Sequence, residues 1–564
     1  MLSYHYLWFV LILMKLFFVG GLITSNVSSG SQCKRSESSV GPRDSTAEPR
    51  REFVYIQLFS MSSNILAALV SAVLLSAPFL SPTLFPLAWF AFVPLFWVIQ
   101  RVENLRRAVF YGWLMGWAAH VIGFHWLVYT ISAFGGFPYP VSVIVFIIYA
   151  ALQAIQMALF ALLVRAIGFG PLAIFPALFW VPLEFLFPLL FPWYIANSQV
   201  SFLWLIQSAD LVGPYGAGFV IMWLNAAIYH ALFAPKRERY ATWMPLAYAV
   251  LALVVSVVYG YQRLQVVDAE LADARKLSVG VVQGNVDIDM KWNPVLAQKN
   301  LDQHRKLTDE LAAVPLVIWP ESAMEVIVPE TLQVLPMELI PNFKADRASF
   351  IFGAKSVRGK PGRSDITAFN TAFLTDAKGR ILARYHKQVL LAFGEYLPFA
   401  KILSLLPAMP FADGFTAGAG PVAFHLGRGV RVAPLICYED LMPHLAREFV
   451  KETRANVLVN LTNDAWYGKS VGPWQHLRLA QSRAIETRRS LLRVTNTGVT
   501  SLVNARGEVV KTLPMFSPAT LQTDVDILNE ETYYVRFGDW FAWAMTIFAA
   551  ALGLLQLKRM CQRE

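Results

Sequence analysis

Apolar residues follow two different patterns along this chain of 564 residues. Between residues 62 and 261 they form long blocks separated by short polar turns, and a further block follows at 540–557. Each block approaches the roughly 20 apolar residues that a helix needs to cross a bilayer. The intervening stretch, about 270 residues long, alternates short β-rich runs with helical segments. These patterns predict a polytopic helical membrane protein that carries one large layered α/β domain.

The predicted order is a membrane domain of about seven spans at 61–264, the α/β domain at 275–530 and a last membrane helix at 538–558. Residues 1–60 contain an apolar run and a polar, low-complexity stretch. They are compatible with a ninth span, with a signal segment, or with a sequence that begins upstream of the true start of the protein. We expect this extension to matter little and the working protein to begin at Met61. The eight expected spans are 62–80, 84–100, 108–131, 139–164, 171–191, 215–234, 241–261 and 540–557.

Basic residues mark the ends of the predicted spans. Lys and Arg cluster at 101–107, 165, 236–239 and 558–563. With eight spans these places share one side of the membrane, which the positive-inside rule makes the cytoplasmic side. The α/β domain then lies outside the cytoplasm, which for a bacterial inner membrane means the periplasm. The net charge of +10 reflects these clusters, and no aromatic–basic RNA motif accompanies it, so we expect no nucleic-acid partner.

Three reactive side chains, Glu321, Lys387 and Cys437, each follow a predicted strand of the α/β domain. Ligands of α/β sheets usually bind just beyond strand ends, so these side chains can meet at one sheet edge. A thiol needs a base, for which Glu321 is the candidate. Attack on a carbonyl creates an oxyanion, which Lys387 and the backbone N–H after Cys437 can stabilise. The set predicts acyl transfer through a thioester. The predicted strands are 277–283, 315–319, 349–353, 369–374, 381–385, 430–436 and 456–461.

Cys437 is the single cysteine of the predicted α/β domain, because Cys33 lies in the N-terminal extension and Cys561 in the C-terminal tail. A lone cysteine is more often structural than reactive, and an arbitrary Glu–Lys pair is more often a surface salt bridge. The strand-end position and the carboxylates that follow, Glu439 and Asp440, favour a nucleophile. A thiol without a partner in an oxidising compartment also suggests reactivity.

These residues stand in short motifs whose order resembles a known superfamily. The motifs are Trp-Pro-Glu-Ser, Tyr-His-Lys, Gly-Glu-Tyr-Leu-Pro and Ile-Cys-Tyr-Glu. The set is similar to the nitrilase (carbon–nitrogen hydrolase) superfamily with its Glu–Lys–Cys triad. The multi-span frame, with Asn-Asp-Ala-Trp-Tyr-Gly and Asn-Thr-Gly, narrows the resemblance to the membrane-embedded branch, the apolipoprotein N-acyltransferases. The resemblance implies a nitrilase-like α-β-β-α sandwich for the α/β domain.

The resemblance also implies roles for single residues. Glu321 would be the general base, Lys387 the oxyanion stabiliser and Cys437 the nucleophile. Four further positions match residues that support the lysine, cover the active site or shape the pocket: Glu395, Trp292, Tyr438 and Glu439. Taken without the resemblance, Trp292 and Tyr438 are equally well explained as packing aromatics.

The implied reaction has two steps and membrane-bound substrates. The thiolate takes an acyl chain from a phospholipid, typically phosphatidylethanolamine, and leaves a lysophospholipid. The α-amino group of the S-diacylglyceryl-cysteine at the N-terminus of an apolipoprotein then attacks the thioester. The implied location is the bacterial inner membrane, with the catalytic domain on the periplasmic side. The partners are the bilayer, the phospholipid and the apolipoprotein; we expect a monomer and no cofactor or metal.

Two other functions are compatible with the residues. A membrane-tethered amidase or nitrilase that hydrolyses a small amide would use the same triad, although eight spans are excessive for an anchor. A transporter with a periplasmic cap would need charged or broken helices near the bilayer centre, whereas the expected spans carry almost no charge.

The membrane part contains features that suit lateral entry of lipid. The aromatic segment 191–199 and the loop 134–138 both fall at the expected outer interface. Glu184 lies near a span end and needs a partner, yet Phe187 stands where the family often has Arg. His120 and His125 are better explained as interior histidines than as metal ligands.

Overall fold

The computed structural model describes residues 48–233, 239–287, 294–359, 366–396 and 414–562. A helical part ends at Asp273 and is followed by an α/β domain and a C-terminal helix, so the predicted fold class is confirmed. The helices of the first part are α1 Glu48–Leu80, α2 Val93–Arg101, α3 Leu105–Gly123, α4 Leu127–Gly135, α5 Tyr139–Gln153, α6 Ile155–Ile167, α7 Phe175–Leu186, α8 Leu203–Ile206, α9 Ala209–Val212, α10 Tyr215–Phe233 and α11 Arg239–Asp273.

Among the described residues, fewer than eight helices are long and apolar enough to cross a membrane. Five qualify among the described residues, and a sixth is the pair α3–α4 if its two parts count as one span. That pair bends by 67°, where one span at 108–131 was expected. The expected spans 171–191 and 540–557 correspond to shorter apolar helices at 171–186 and 540–556. The first of these ends early because Pro188 disfavours a helical conformation of Phe187, which is extended.

Small residues bring the membrane helices close together. A Cβ atom on Gly112 of α3 would lie 2.4 Å from the Cβ of Ala161 in α6, and one on Gly116 would lie 2.8 Å from the Cβ of Met157. These two glycines, four residues apart on α3, therefore let the two helices pack backbone against backbone, as is common between helices in lipid.

The α/β domain contains two mixed sheets. Sheet I has the order β13-β1-β2-β4-β5-β6, with β3 beside β4, and sheet II has the order β12-β11-β10-β9-β8-β7. The elements are β1 Arg275–Gln283, α12 Pro294–Glu310, β2 Leu316–Ile318, β3 Met324–Pro329, β4 Ser349–Arg358, β5 Thr367–Asp376, β6 Ile381–His386, β7 Phe424–Gly427, β8 Val430–Ile436, α13 Pro443–Thr453, β9 Val457–Thr462, α14 Gly472–Thr487, β10 Leu491–Thr495, β11 Ser501–Val503, β12 Val509–Thr512, β13 Ala519–Ile527, α15 Tyr533–Phe537 and α16 Trp540–Cys561.

The two sheets pack face to face with helices outside them. Apolar residues of β1, such as Val281, share one buried cluster with Leu435 of β8 and with Phe449 of α13. The opposite face of sheet I forms a second cluster, in which Trp319 packs with Leu307 of α12. The layers are therefore helix, sheet, sheet and helix, which is the α-β-β-α sandwich implied by the resemblance.

The α/β domain is docked on the helical part through α11 and through polar contacts. Helix α11 has 35 residues, so it is about 50 Å long and exceeds the hydrocarbon thickness of a bilayer. It leads directly into β1. Asp210, in the short helix α9, forms ion pairs with Arg263 of α11 at 2.8 Å and with Arg488 of the α/β domain at 2.7 Å. A single buried carboxylate thus joins three parts of the chain.

Candidate active site

Strand direction brings Glu321 and Lys387 to the same edge of sheet I. Strand β2 is parallel to β4, β4 is antiparallel to β5, and β5 is antiparallel to β6. Strands β2 and β6 therefore point the same way, and the residues that follow them share an edge. Cys437 follows β8 in sheet II, and the charges of Glu321 and Lys387 both act on its thiol. The structure thus brings the three predicted residues together.

Cys437 lies at a sharp turn between β8 and the 3-10 turn Cys437–Leu441. Its φ angle is +52°, a left-handed conformation that residues other than glycine rarely adopt. Asn460 Nδ2 donates a hydrogen bond of 2.9 Å to the carbonyl oxygen of Cys437, and the Thr462 side chain hydrogen-bonds the thiol. Strand β9 therefore holds the turn, while the cysteine side chain stays partly exposed at the sheet edge.

Glu321 is held by close packing and by a buried amide. Gly353 of β4 lies so near that a Cβ atom on it would be 2.7 Å from the Cα of Glu321. Asn370 Nδ2 donates to Glu321 Oε1 at 2.8 Å and to Glu395 Oε1 at 2.9 Å. One amide thus separates two carboxylates and satisfies both. The sequence analysis did not identify Asn370, because an Asn inside a predicted strand carries no signal of its own.

Lys387 is almost fully buried and forms a salt bridge of 2.7 Å with Glu395 Oε2. Burial by itself would lower the pKa of Lys387. Burial is the largest single effect, but the charges of Glu395, Cys437, Glu321 and Glu439 together outweigh it, so the pKa is raised above its ordinary value. Lys387 is therefore a fixed ammonium group beside the thiol. Glu395 lies where the resemblance implied, against the lysine.

The Cys437 thiol is neutral in the resting site. Burial raises its pKa most, and the charge of Glu321 raises it further, while Lys387 and the Thr462 hydrogen bond lower it. The net effect is a pKa well above the ordinary value for a thiol. The sulfur therefore needs a base at the moment of attack rather than a preformed thiolate.

Glu439 holds two active-site segments together. Its Oε1 accepts hydrogen bonds from the Tyr385 hydroxyl at 2.8 Å and from the backbone N–H groups of Gln388 and Val389 at 2.7 and 3.0 Å. Its Oε2 accepts from the N–H of Ile436 at 2.8 Å. Burial raises the pKa of Glu439 to about 7. The carboxylate thus joins the segment after Lys387 to the turn of Cys437.

Tyr438 faces the membrane domain. Its hydroxyl donates to the carbonyl oxygen of Leu190, and its ring packs edge-on against Phe191 at a centroid distance of 5.8 Å. The aromatic segment expected at the outer interface therefore contacts the residue next to the nucleophile. Trp292 lies outside the described residues.

Two buried polar residues of the membrane part find local partners. Glu184 Oε1 accepts a hydrogen bond of 2.6 Å from the N–H of Ile195, so a backbone group supplies the contact that Phe187 cannot make. His120 Nδ1 lies 2.8 Å from the carbonyl oxygen of Gly116, and its ring packs against Trp193 at 5.0 Å. His120 is thus an interior histidine.

Two family models match the chain. The model described as apolipoprotein N-acyltransferase N-terminal domain matches residues 71–227, and the model described as carbon-nitrogen hydrolase matches residues 278–533.

Curated relatives are similar over most of the chain. The apolipoprotein N-acyltransferase of Geobacter metallireducens is 33% identical over 535 residues, which cover 92% of this chain and 97% of that protein. The apolipoprotein N-acyltransferase of Rickettsia typhi is 28% identical over 489 residues, which cover 83% of this chain and 93% of that protein. Among solved structures, an amidase from Nesterenkonia sp. covers 46% of this chain and 92% of its own at 18% identity, with a TM-score of 0.31.

Proposed function

The chain belongs to the apolipoprotein N-acyltransferase family of the carbon–nitrogen hydrolase superfamily, and we propose that it N-acylates lipoproteins through a thioester on Cys437. One observation carries this proposal. A neutral thiol, a buried carboxylate and a fixed ammonium group meet at a turn whose next residue, Tyr438, contacts the membrane domain. Such a site suits an acyl donor that arrives from lipid.

The first step transfers the acyl chain to sulfur. Glu321 takes the proton of the Cys437 thiol while the sulfur attacks the ester carbonyl of a phospholipid. The Lys387 ammonium group and the backbone N–H after Cys437 stabilise the oxyanion that forms. When the carbonyl reforms, the C–O bond to glycerol breaks, and the alkoxide takes the proton from Glu321 and leaves as lysophospholipid.

The second step passes the acyl chain to nitrogen. The α-amino group of a diacylated N-terminal cysteine attacks the thioester carbonyl, and Glu321 accepts a proton from the attacking amine. The C–S bond then breaks, the amide forms, and the sulfur is reprotonated by Glu321. Water in place of the amine would release free fatty acid, so the site must exclude water while the thioester exists.

Three further side chains support the triad. Glu395 balances the charge of Lys387 at 2.7 Å. Asn370 donates to both Glu395 and Glu321, which holds the carboxylate of the base in place beside that of Glu395. Glu439 fixes the turn of Cys437 relative to the segment after Lys387.

The proposed setting is the bacterial inner membrane, with the α/β domain on the periplasmic side and a monomeric enzyme. The four Lys/Arg clusters at span ends support this orientation. Phosphatidylethanolamine is the proposed donor, and an apolipoprotein that already carries an S-diacylglyceryl-cysteine is the proposed acceptor.

Labelled phospholipid tests the proposal. The full-length protein in mixed micelles, given donor alone, should acquire one acyl label that hydroxylamine removes. Cys437→Ala should acquire none, whereas Cys561→Ala, the matched control, should label like the wild type. Diacylated lipopeptide should then move the label to the peptide's amine. Label that survives in Cys437→Ala contradicts the proposed nucleophile, and discharge only as free fatty acid indicates a hydrolase.

A further inference from the structure

Four charged side chains form a closed cluster behind the nucleophile, and the mechanism above does not use them. They are Asp440, Asp464, His476 and Arg493, and none is more than 4% exposed. His476 Nε2 lies 2.9 Å from Asp440 Oδ1, and its Nδ1 lies 2.9 Å from Asp464 Oδ1. Arg493 forms ion pairs with both carboxylates.

The geometry of the cluster favours the doubly protonated form of His476. Each of its ring nitrogens faces a carboxylate oxygen, so a neutral ring would point a lone pair at a negative charge. Two carboxylates and one guanidinium also leave one negative charge that only an imidazolium balances. Burial and Arg493 lower the pKa of His476, but the charges of Asp440 and Asp464 outweigh them, and the pKa is raised. A buried cluster that is neutral overall avoids the cost of an unpaired charge.

The cluster joins two turns that flank the thiol. Asp440 lies in the 3-10 turn that begins at Cys437, and Asp464 begins the 3-10 turn Asp464–Tyr467. Thr462, the hydrogen-bond partner of the thiol, also bonds Asp464 Oδ1 at 3.4 Å. A Cβ atom on Gly498 would lie 2.2 Å from Asp464 Oδ2, so Gly498 packs directly against this side chain.

The same two elements reach the bent membrane helix pair. The Trp126 indole, at the bend between α3 and α4, donates a hydrogen bond of 2.7 Å to Gln475, the residue before His476. Its ring packs on Tyr467 at 4.6 Å. Thr130 of α4 donates a hydrogen bond of 3.0 Å to the carbonyl oxygen of Trp466. The turn at Asp464 is therefore held between the nucleophile and the bent helix pair α3–α4.

We propose that the His476 imidazolium is a positioning residue for acyl transfer, which fixes the Cys437 turn against the turn that borders the membrane helices. The proposal rests on the proposed function and extends it. His476 exchanges no proton with substrate. It holds Asp440 and Asp464 at one separation, and this separation sets where the sulfur lies relative to Glu321 and Lys387.

His476→Gln tests this in the full-length protein, with two quantities measured separately. The amplitude of acyl-enzyme formation counts correctly folded sites, and the rate constant reports how well each site works. We expect His476→Gln to reach the same amplitude as the wild type, but with a rate constant lower by up to about 100-fold, because a small displacement of a reacting atom has that effect. His444→Gln, on the neighbouring helix α13 and outside the cluster, is the matched control and should behave like the wild type.

A reduced amplitude with a wild-type rate constant would overturn the proposal, since it would show that His476 only stabilises the fold. An equal loss in His444→Gln would overturn it too. If His476→Gln does not fold, the rate constant of Asp464→Asn tests the proposal instead, because this change keeps the side-chain volume and removes one carboxylate. A wild-type rate constant in Asp464→Asn contradicts the proposal.

Alkylation of Cys437 by iodoacetamide separates this inference from the proposed function, because it requires no acyl donor. Should the wild type form no acyl-enzyme, the proposed function is wrong. His476→Gln must still alkylate more slowly than wild type and His444→Gln for the positioning role to stand.

Discussion

Replacing Asn370 with Leu removes the amide that separates the two carboxylates of the site. The side chains are similar in size, so the change removes two hydrogen bonds, of 2.8 and 2.9 Å, with little loss of volume. Hydrogen bonds to charged groups contribute about 1.5–3 kcal/mol each, so the gross loss is about 3–6 kcal/mol. Glu321 and Glu395 then lose the donor that they share, so the ionised form of the base is less well stabilised.

The assay is the rate of acyl-enzyme formation as a function of pH. Losing one bond to the carboxylate form of the base moves the acidic limb of the profile to higher pH by about one to two pH units, because 1.36 kcal/mol corresponds to one unit. The direction is upward since the lost bond stabilised the ionised form. At pH values below the new limb the variant should be slow, and raising the pH should restore part of the rate.

Asn456→Leu is the matched control. Asn456 is as buried as Asn370 and also makes several hydrogen bonds, but to Arg431, Gly429 and Asn529 away from the site. It should lower the free energy of unfolding without moving the acidic limb. An unmoved limb in Asn370→Leu, or an equal shift in both variants, would refute the reasoning.

Three further substitutions test other parts of the structure. Glu395→Gln removes the largest of the charges that raise the pKa of Lys387, so acyl-enzyme formation should fall at lower pH on the alkaline side than in the wild type; identical alkaline limbs would contradict this. Burial raises the pKa of Glu439 in the folded protein to about 7. As the pH rises from the ordinary pKa of a glutamate to 7, its ionisation therefore lowers the free energy of unfolding, by about 3 kcal/mol. Glu439→Gln should flatten this pH dependence in denaturant titrations, and an unchanged slope would disprove it. Asp210→Asn leaves Arg488 buried without its carboxylate partner, so the free energy of unfolding should drop by about 3–5 kcal/mol. Proteolysis between α11 and β1 should be faster than in the wild type; proteolysis at the wild-type rate would count against the role of Asp210 in docking the two parts.

The sequence located the strands that lead to the site. The run predicted at 430–436 is Val430–Ile436, and that at 381–385 lies within Ile381–His386. Both are apolar runs closed by polar residues, which is a local signal. Six strands were not predicted: β3, β7, β10, β11, β12 and β13. Strands β3 and β12 are half-exposed at sheet margins and lack a continuous apolar run, whereas β10 and β11 are short and buried throughout.

The single straight span expected at 108–131 is a bent pair, and the reason is not local. Trp126 is tied to Gln475, 349 positions away along the chain, and such a contact has no counterpart in the apolar pattern. The same holds for Asn370, whose two carboxylate partners come from different segments.

The sequence by itself determined which residue types were available and where they stood: apolar blocks for the membrane, and a carboxylate, an ammonium group and a thiol after strands. These follow from neighbours within a few positions. Only the tertiary structure decided that Asn370 separates the carboxylates, that Glu439 fixes the turn of Cys437, and that four buried charges balance behind it. Those roles depend on distances between segments far apart in the chain, and such distances exist only once the two sheets have packed together.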